Sequence, residues 1–286
     1  IRAWVSLRDT SGILLGNGSD ELIQMIMMTV GGPVMAPEPT FGMYKMIAEA
    51  LGLQFIGIPL MKDFSLDIQQ MVEHIEAYDP SCVFFAYPNN PTGNLFNYSE
   101  IQDLIEITRG LVIIDEAYYP YSGRTFVSEL HEKKNVAILR TFSKFGLAGL
   151  RLGFLAAPHL WINEINKIRL PYNVNTLTQI SAKFAIQKDS WFRGRAEIIR
   201  EERQRLFYRL EKFTAIKVFP SSSNFILFRL QEHDADIIFA ELIRQKILIR
   251  NMNGTDKSLA NCLRVTVGTA EENEKFIQAL SLSIKG

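Results

Sequence analysis

The sequence has 286 residues, 47% hydrophobic and 22% charged, with 31 basic against 31 acidic side chains. Zero net charge excludes a strongly basic nucleic-acid binder, and two cysteines, Cys82 and Cys262, each inside an apolar run, exclude a disulfide framework and suit a reducing cytoplasm. The apolar stretch from Leu22 to Pro37 is broken by Gly31, Gly32 and Pro33 and falls short of the ~20 residues that cross a bilayer; no membrane span or secretory leader is expected.

In chain order, Ile13-Leu14-Leu15 is predicted as a strand that stops at Gly16-Asn17-Gly18-Ser19, and Leu22, Ile23, Ile26 and Met27 then repeat at helix spacing. Pro33 to Ala36 is short and apolar, Tyr44 to Leu51 is helical, and Leu53 to Ile58 is a strand. Asp67 caps a helix whose Ile68, Met71, Val72 and Ile75 share one face. Cys82-Val83-Phe84-Phe85 leads into a Pro/Asn/Gly-rich turn, and Ser99 with Gln102 has the spacing of a capping box before Ile101, Leu104 and Ile105. Leu111 to Ile114 runs apolar into Asp115; Val136 to Leu139 and Leu152 to Ala156 follow.

Strands apolar on both faces, alternating with amphipathic helices, predict an α/β layer with a mostly parallel central sheet flanked by helices. After about Trp191 an Arg/Glu-rich helix is expected from Arg193 to Phe213, its Glu201, Glu202, Arg203 and Arg205 forming a face that is solvated or at a domain contact. Asn224 to Phe228, Ala235 to Arg244, Ile247 to Arg250, Leu263 to Val267 and a closing helix from Ala270 predict a smaller α+β domain. The boundary is placed near residue 192, giving a large domain over 1–192 and a small one over 193–286.

Ligands in such folds bind beyond the C-terminal ends of the strands, so the polar residues ending each apolar run come first. Lys144, after the run from Val136 and the segment Arg140 to Ser143, is placed to attack an aldehyde if partly desolvated; taken alone, a Ser-Lys pair reads more readily as a solvated surface lysine. Asp115 at the mouth of a buried strand needs a cationic or donor partner, and a helix cap or structural ion pair would also satisfy it. Arg151, in an apolar setting, asks for an anion, and Gly16 to Ser19 opens a helix whose free N–H groups favour a phosphate. Neither a Walker loop nor the dinucleotide fingerprint is present. Together with Tyr118 and Asn90 this is the set that pyridoxal 5'-phosphate requires: a lysine for its aldehyde, an aspartate for its pyridinium nitrogen, cradle and arginine for its phosphate, tyrosine and asparagine for its ring oxygen. His74, His131, His159 and His233 are scattered without ligand spacing, so no metal is expected.

Gly16-Asn17-Gly18-Ser19-Asp20-Glu21, Pro39-Thr40-Phe41-Gly42-Met43-Tyr44, Tyr87-Pro88-Asn89-Asn90-Pro91-Thr92-Gly93, Asp115-Glu116-Ala117-Tyr118, Thr141-Phe142-Ser143-Lys144 and Gly146 to Gly153 resemble, in order, the motifs of fold-type I, class II aminotransferases, and within them the histidinol-phosphate aminotransferase branch. The resemblance implies that Lys144 carries the cofactor and moves the substrate proton, and that Asp115 pairs with the ring nitrogen. Such a pair at ~4 Å and an effective dielectric near 20 is worth on the order of 4 kcal/mol before desolvation. It further implies that Tyr118 and Asn90 hold the ring oxygen, that Ser143, Arg151 and the backbone of Ser19 and Asp20 hold the phosphate, and that Phe41 stacks on the ring where the family often has tyrosine.

By the same resemblance Arg264 anchors an α-carboxylate, Arg250 is a second anion-binding arginine, and Asn224 lies near the cofactor. Histidinol phosphate has no carboxylate, so its phosphate must share an anion site with 2-oxoglutarate or glutamate, and two arginines suit both. The implied reaction, in histidine biosynthesis, moves the amino group of L-histidinol phosphate to 2-oxoglutarate, giving imidazole acetol phosphate and L-glutamate in two half-reactions. An aromatic-amino-acid aminotransferase or a threonine-phosphate decarboxylase is the alternative, and a non-catalytic binding protein on the same scaffold is a third reading that the retained lysine, aspartate, tyrosine and arginine oppose. The resemblance also implies a cytoplasmic homodimer with a mobile N-terminal arm. The chain starts at Ile1 and nothing before Ile13 matches that arm, so the arm is expected to be missing.

Overall fold

The structure, a computed structural model, describes residues 1–285. Its elements run β1 (Ser11–Gly16), α1 (Ser19–Val30), β2 (Val34–Glu38), α2 (Met43–Ala50), β3 (Phe55–Pro59), α3 (Ile68–Tyr78), β4 (Cys82–Ala86), α4 (Tyr98–Ile107) and β5 (Leu111–Asp115). Then come α5 (Tyr119–Ser122), α6 (Val127–Glu132), β6 (Val136–Thr141), β7 (Gly153–Pro158), α7 (His159–Asn166), α8 (Thr176–Gln187) and α9 (Asp189–Leu210). The last stretch holds β8 (Ile216–Val218), β9 (Phe225–Leu230), α10 (Ala235–Arg244), β10 (Arg250–Asn251), β11 (Cys262–Thr266) and α11 (Ala270–Lys285).

The first seven strands form one sheet in the order β1-β7-β6-β5-β4-β2-β3. Only β7 runs against the others, pairing antiparallel with both β1 and β6. Helices cover both faces, which explains why the strands are apolar on both. In β5, Val112 and Ile114 enter one core with Met71 and Ile101. Leu111 and Ile113 enter the opposite core with Ile23 and Ile26. The four remaining strands form a second sheet, β10-β11-β9-β8, with its own core of Ile226, Phe228, Leu263, Val265 and Phe276. A division at residue 192 would fall in the first turn of α9.

Two expectations are corrected. The cap of α4 is Asn97, not Ser99: Asn97 is extended and its side chain accepts the Ser99 N–H at 3.1 Å, leaving Ser99 inside the helix. Ile247 is not in a strand; Lys246 is left-handed and the Ile247 N–H turns back to the Leu242 carbonyl, so this stretch stops α10 and only Arg250–Asn251 pairs. Of the two readings of the charged face of α9, contact rather than full solvation holds at Glu202, which is buried and accepts from Asn273 of α11 at 3.1 Å.

Successive carboxylates at the end of β5 point apart, as strand geometry dictates. Glu116 is buried and bonded by Arg140 through Nε at 2.9 Å and Nη2 at 2.7 Å, by the Phe126 N–H at 2.7 Å and by Thr125 at 2.9 Å. The Arg140 guanidinium lies 3.7 Å from the Tyr119 ring centre. Removing one partner of such a pair strands the other charge. Arg140→Ala should therefore lose about 3–5 kcal/mol of stability, read from the midpoint of urea unfolding.

Candidate active site

The C-terminal ends of the parallel strands open on one side of the sheet. There Ser19, Asp20, Phe41, Asn90, Asp115, Tyr118, Ser143, Lys144 and Arg151 line a single cavity with Ala86, Pro88, Ala117, Thr141 and Ala148. All nine residues expected at the cofactor meet in this one place.

The corner of the cavity where α1 begins is built largely from backbone. Helix α1 starts behind Gly18, which supplies no side-chain cap, so its first N–H groups stay free toward the cavity. Gly18 has φ of 89°, and a Cβ there would meet Arg151 Nη2 at 2.5 Å. Arg151 itself is left-handed at φ 48° and reaches Asp20 Oδ2 at 3.3 Å. Thr141 Oγ1 donates to Ser143 Oγ at 3.0 Å and accepts the Ser143 N–H at 3.1 Å, fixing the turn before Lys144.

Lys144 Nζ lies 5.3 Å from the Tyr118 ring centre. Its carbonyl accepts from the Tyr121 hydroxyl at 2.5 Å. Burial, then the charge of Arg264, lowers its pKa from the ordinary lysine value, which favours the nucleophilic amine. Burial raises Tyr118 to about 12, against the opposing pull of Arg264. Asp115 accepts from the Tyr44 hydroxyl at 2.6 Å on Oδ2 and from the Ala117 N–H at 3.0 Å on Oδ1. Burial nevertheless raises its pKa to about 6, because these neutral donors and the more distant Lys144 only partly offset desolvation. Tyr44 went unassigned from sequence, since in a helix with apolar periodicity a tyrosine reads as core; its position one helical turn after Phe41 was the available signal.

The second sheet delivers Arg264. Its Nη1 donates to Asn90 Oδ1 at 2.5 Å, its guanidinium lies 4.5 Å from the Phe225 ring centre, and its buried Nε has no partner among the described residues. Phe225 in turn meets Tyr118 edge-on, ring centres 5.2 Å apart. Arg250 is directly opposite Arg264 in the antiparallel register, so both leave the same face. Like charges so placed repel, and an anion between them relieves it. Asn224 precedes β9 and its carbonyl accepts the Val267 N–H at 2.8 Å. None of Arg250, Arg264 and Asn224 is among the lining residues, and only Arg264 is tied to them directly.

The profile of the family "Aminotransferase class I and II" matches residues 3–280. A relative named histidinol-phosphate aminotransferase 2, from Nitrosococcus oceani, is 48% identical over 100% of this chain and 80% of its own length. The chain belongs to the class I and II aminotransferases. It is a pyridoxal-phosphate-dependent enzyme of fold type I. Among solved structures, a histidinol-phosphate aminotransferase from Clostridium acetobutylicum superimposes with a TM-score of 0.92 at 24% identity, over 100% of this chain and 87% of that one. One from Sinorhizobium meliloti, in complex with pyridoxal-5'-phosphate, superimposes with a TM-score of 0.86 at 23% identity, over 96% of this chain and 76% of that one.

The residues present fit that cofactor. Asp115 is a buried carboxyl with one neutral donor on each oxygen and no adjoining cation, the deficiency a protonated ring nitrogen fills. The free N–H groups of α1 beside Arg151 suit a phosphate. Among the described residues no helix is long and apolar enough to cross a membrane, and no cluster of His, Cys, Asp and Glu could hold a metal.

In the cofactor-free chain the folded state holds the Asp115 proton more tightly than the unfolded state does. The stability this provides is full below about pH 4 and lost as pH rises through about 6, on the order of 3 kcal/mol. Asp115→Asn removes the charge and one of the two accepting oxygens, and the loss of that acceptor is an offset that does not vary with pH. Its urea midpoint should gain on that of the wild-type chain between about pH 4.5 and pH 7.5, and a constant gap counts against a buried, neutralised carboxyl.

Proposed function

We propose that this aminotransferase moves the amino group of L-histidinol phosphate to 2-oxoglutarate, giving imidazole acetol phosphate and L-glutamate in two half-reactions. The observation that carries the reading is Arg264, bonded to the cavity-lining Asn90, with Arg250 directly opposite it in the strand register. The name of the Nitrosococcus oceani relative supports the donor. Histidinol phosphate offers a dianionic phosphate ester and no carboxylate; 2-oxoglutarate offers two carboxylates. A fork of two guanidinium groups serves both.

Bound pyridoxal phosphate supplies an aldehyde and an electron-withdrawing ring. The chain's residues do the rest. Lys144 takes the proton from the donor's reacting carbon and returns it, with an amine whose lowered pKa suits the exchange. Asp115 keeps the ring nitrogen protonated. Tyr118 and Asn90 hold the ring oxygen, and Asn90 is in turn fixed by Arg264. Ser143, Arg151 and the N–H groups of Ser19 and Asp20 hold the phosphate, and Phe41 covers the ring. Asn224 is assigned to the same neighbourhood, next to Phe225.

We further propose a large domain over 1–192 and a small one over 193–286, arranged as a cytoplasmic homodimer. Leu170, Tyr172, Leu177, Ile180 and Phe184 lie exposed along and before α8, an apolar run that a second copy would cover. Buried, unpaired Cys82 and Cys262 suit a reducing compartment.

The purified chain should carry a visible absorbance that borohydride bleaches irreversibly, and Lys144→Ala should lose that reaction; a colourless wild-type chain after reconstitution ends the enzyme reading. Half-reaction rates with histidinol phosphate should exceed those with phenylalanine by orders of magnitude, and the reverse order makes the donor an aromatic amino acid. Arg264→Ala should lower kcat/KM for both histidinol phosphate and glutamate on the order of 100-fold, since it removes one partner of a charge-assisted pair.

A further inference from the structure

We propose that Tyr44 is a positioning residue for the cofactor, its hydroxyl holding the Asp115 carboxylate ionised and oriented while its ring packs perpendicular to that of Phe41. This rests on the reading of the cavity as a pyridoxal-phosphate site. Tyr44 is fully buried on α2, stacked on Phe84 with ring centres 4.7 Å apart and meeting Phe41 edge-on at 5.5 Å. In that apolar setting a hydroxyl is costly unless bonded, and its partner is Asp115 Oδ2 at 2.6 Å. A phenylalanine would satisfy the packing; the hydroxyl is explained only by the carboxylate.

The bond also has a direction. Burial, then the charge of Asp115, pushes the Tyr44 hydroxyl well above its ordinary pKa, so it stays protonated and donates. The groups facing Asp115 are Tyr44, the Ala117 N–H, Asp20, Lys144 and Tyr118. Asp20 opposes its ionisation, while Tyr44, Ala117 and Lys144 favour it. Tyr44 and Ala117 occupy one lone pair on each oxygen, so the carboxylate cannot rotate and its remaining lone pairs address the cavity. Tyr44 thus works through Asp115, and its effect should follow the protonation of Asp115.

The test is pyridoxal-phosphate binding by the full chain and by Tyr44→Phe, measured from visible absorbance at equilibrium dialysis across pH. Losing one hydrogen bond to a charged group should raise the carboxyl's pKa by about one unit. The acid limb of cofactor binding should therefore move up by about one pH unit. Binding should be about tenfold weaker near pH 5.5, with the gap closing by about pH 8, where the carboxyl is ionised in both. Profiles that superimpose, or that differ by the same factor at every pH, overturn the proposal and leave Tyr44 a packing residue. A wild-type chain that takes up no pyridoxal phosphate overturns the cofactor reading itself.

Discussion

The site is organised around a carboxylate that the sheet itself buries. β5 is the middle strand of seven, so the residue that ends it has strands on both sides and meets the cavity only at the strand's end. Two carboxylates stand there in succession, and the chain treats them differently. Glu116, turned to one side, receives the full charge of Arg140 and is a finished structural pair. Asp115, turned to the other, receives a tyrosine hydroxyl and a backbone N–H. A buried acid with neutral donors is left short of positive charge, which is why the ring nitrogen is proposed as its partner. What separates the two carboxylates is their partners, since their burial is alike.

The second sheet is tied to this centre by more than Arg264. From α9, Arg200 Nη2 donates to the Pro120 carbonyl at 3.0 Å, and Arg203 Nη1 donates to the Ser223 carbonyl at 2.7 Å and the Tyr121 carbonyl at 3.3 Å. Tyr121 in turn donates to the Lys144 carbonyl. A continuous set of hydrogen bonds thus joins the start of β9, the long helix and the turn that carries the lysine. Tyr118, Tyr121, Ala196 and Phe225 pack together at the same junction, so the contact is apolar at its centre and polar around it.

Much of this was legible before any coordinates. Continuous apolar runs such as Leu111 to Ile114 announce strands covered on both faces, and the polar residue that ends each run is at the cofactor end by geometry. What escaped were features whose signal is tertiary. Tyr44 sits among apolar helix positions and differs from them only by a hydroxyl whose partner is distant in sequence. Arg140 ends the apolar run in sequence, yet β6 continues through it because its head is neutralised by Glu116, a partner outside the strand. The capping-box spacing of Ser99 and Gln102 lost to Asn97, which reaches the same helix end first. Strand β8 is three residues long, too short for a periodicity to register.

The reversed strand β7 has an evolutionary side. Because β7 begins where β6 ends, with Thr141 opposite Gly153, the segment between them never leaves the cofactor end of the sheet. Ser143, Lys144 and Arg151 all belong to this one short connection, and a Cβ at Gly153 would meet the Gly18 and Ser19 backbone at 2.8 Å. The other contacts sit on separate crossovers that can drift in length independently. This connection cannot: one inserted residue would shift Ser143, Lys144 and Arg151 together. Variation in substrate range should therefore accumulate in the second sheet and in the surfaces around it, with the β6–β7 connection held at fixed length.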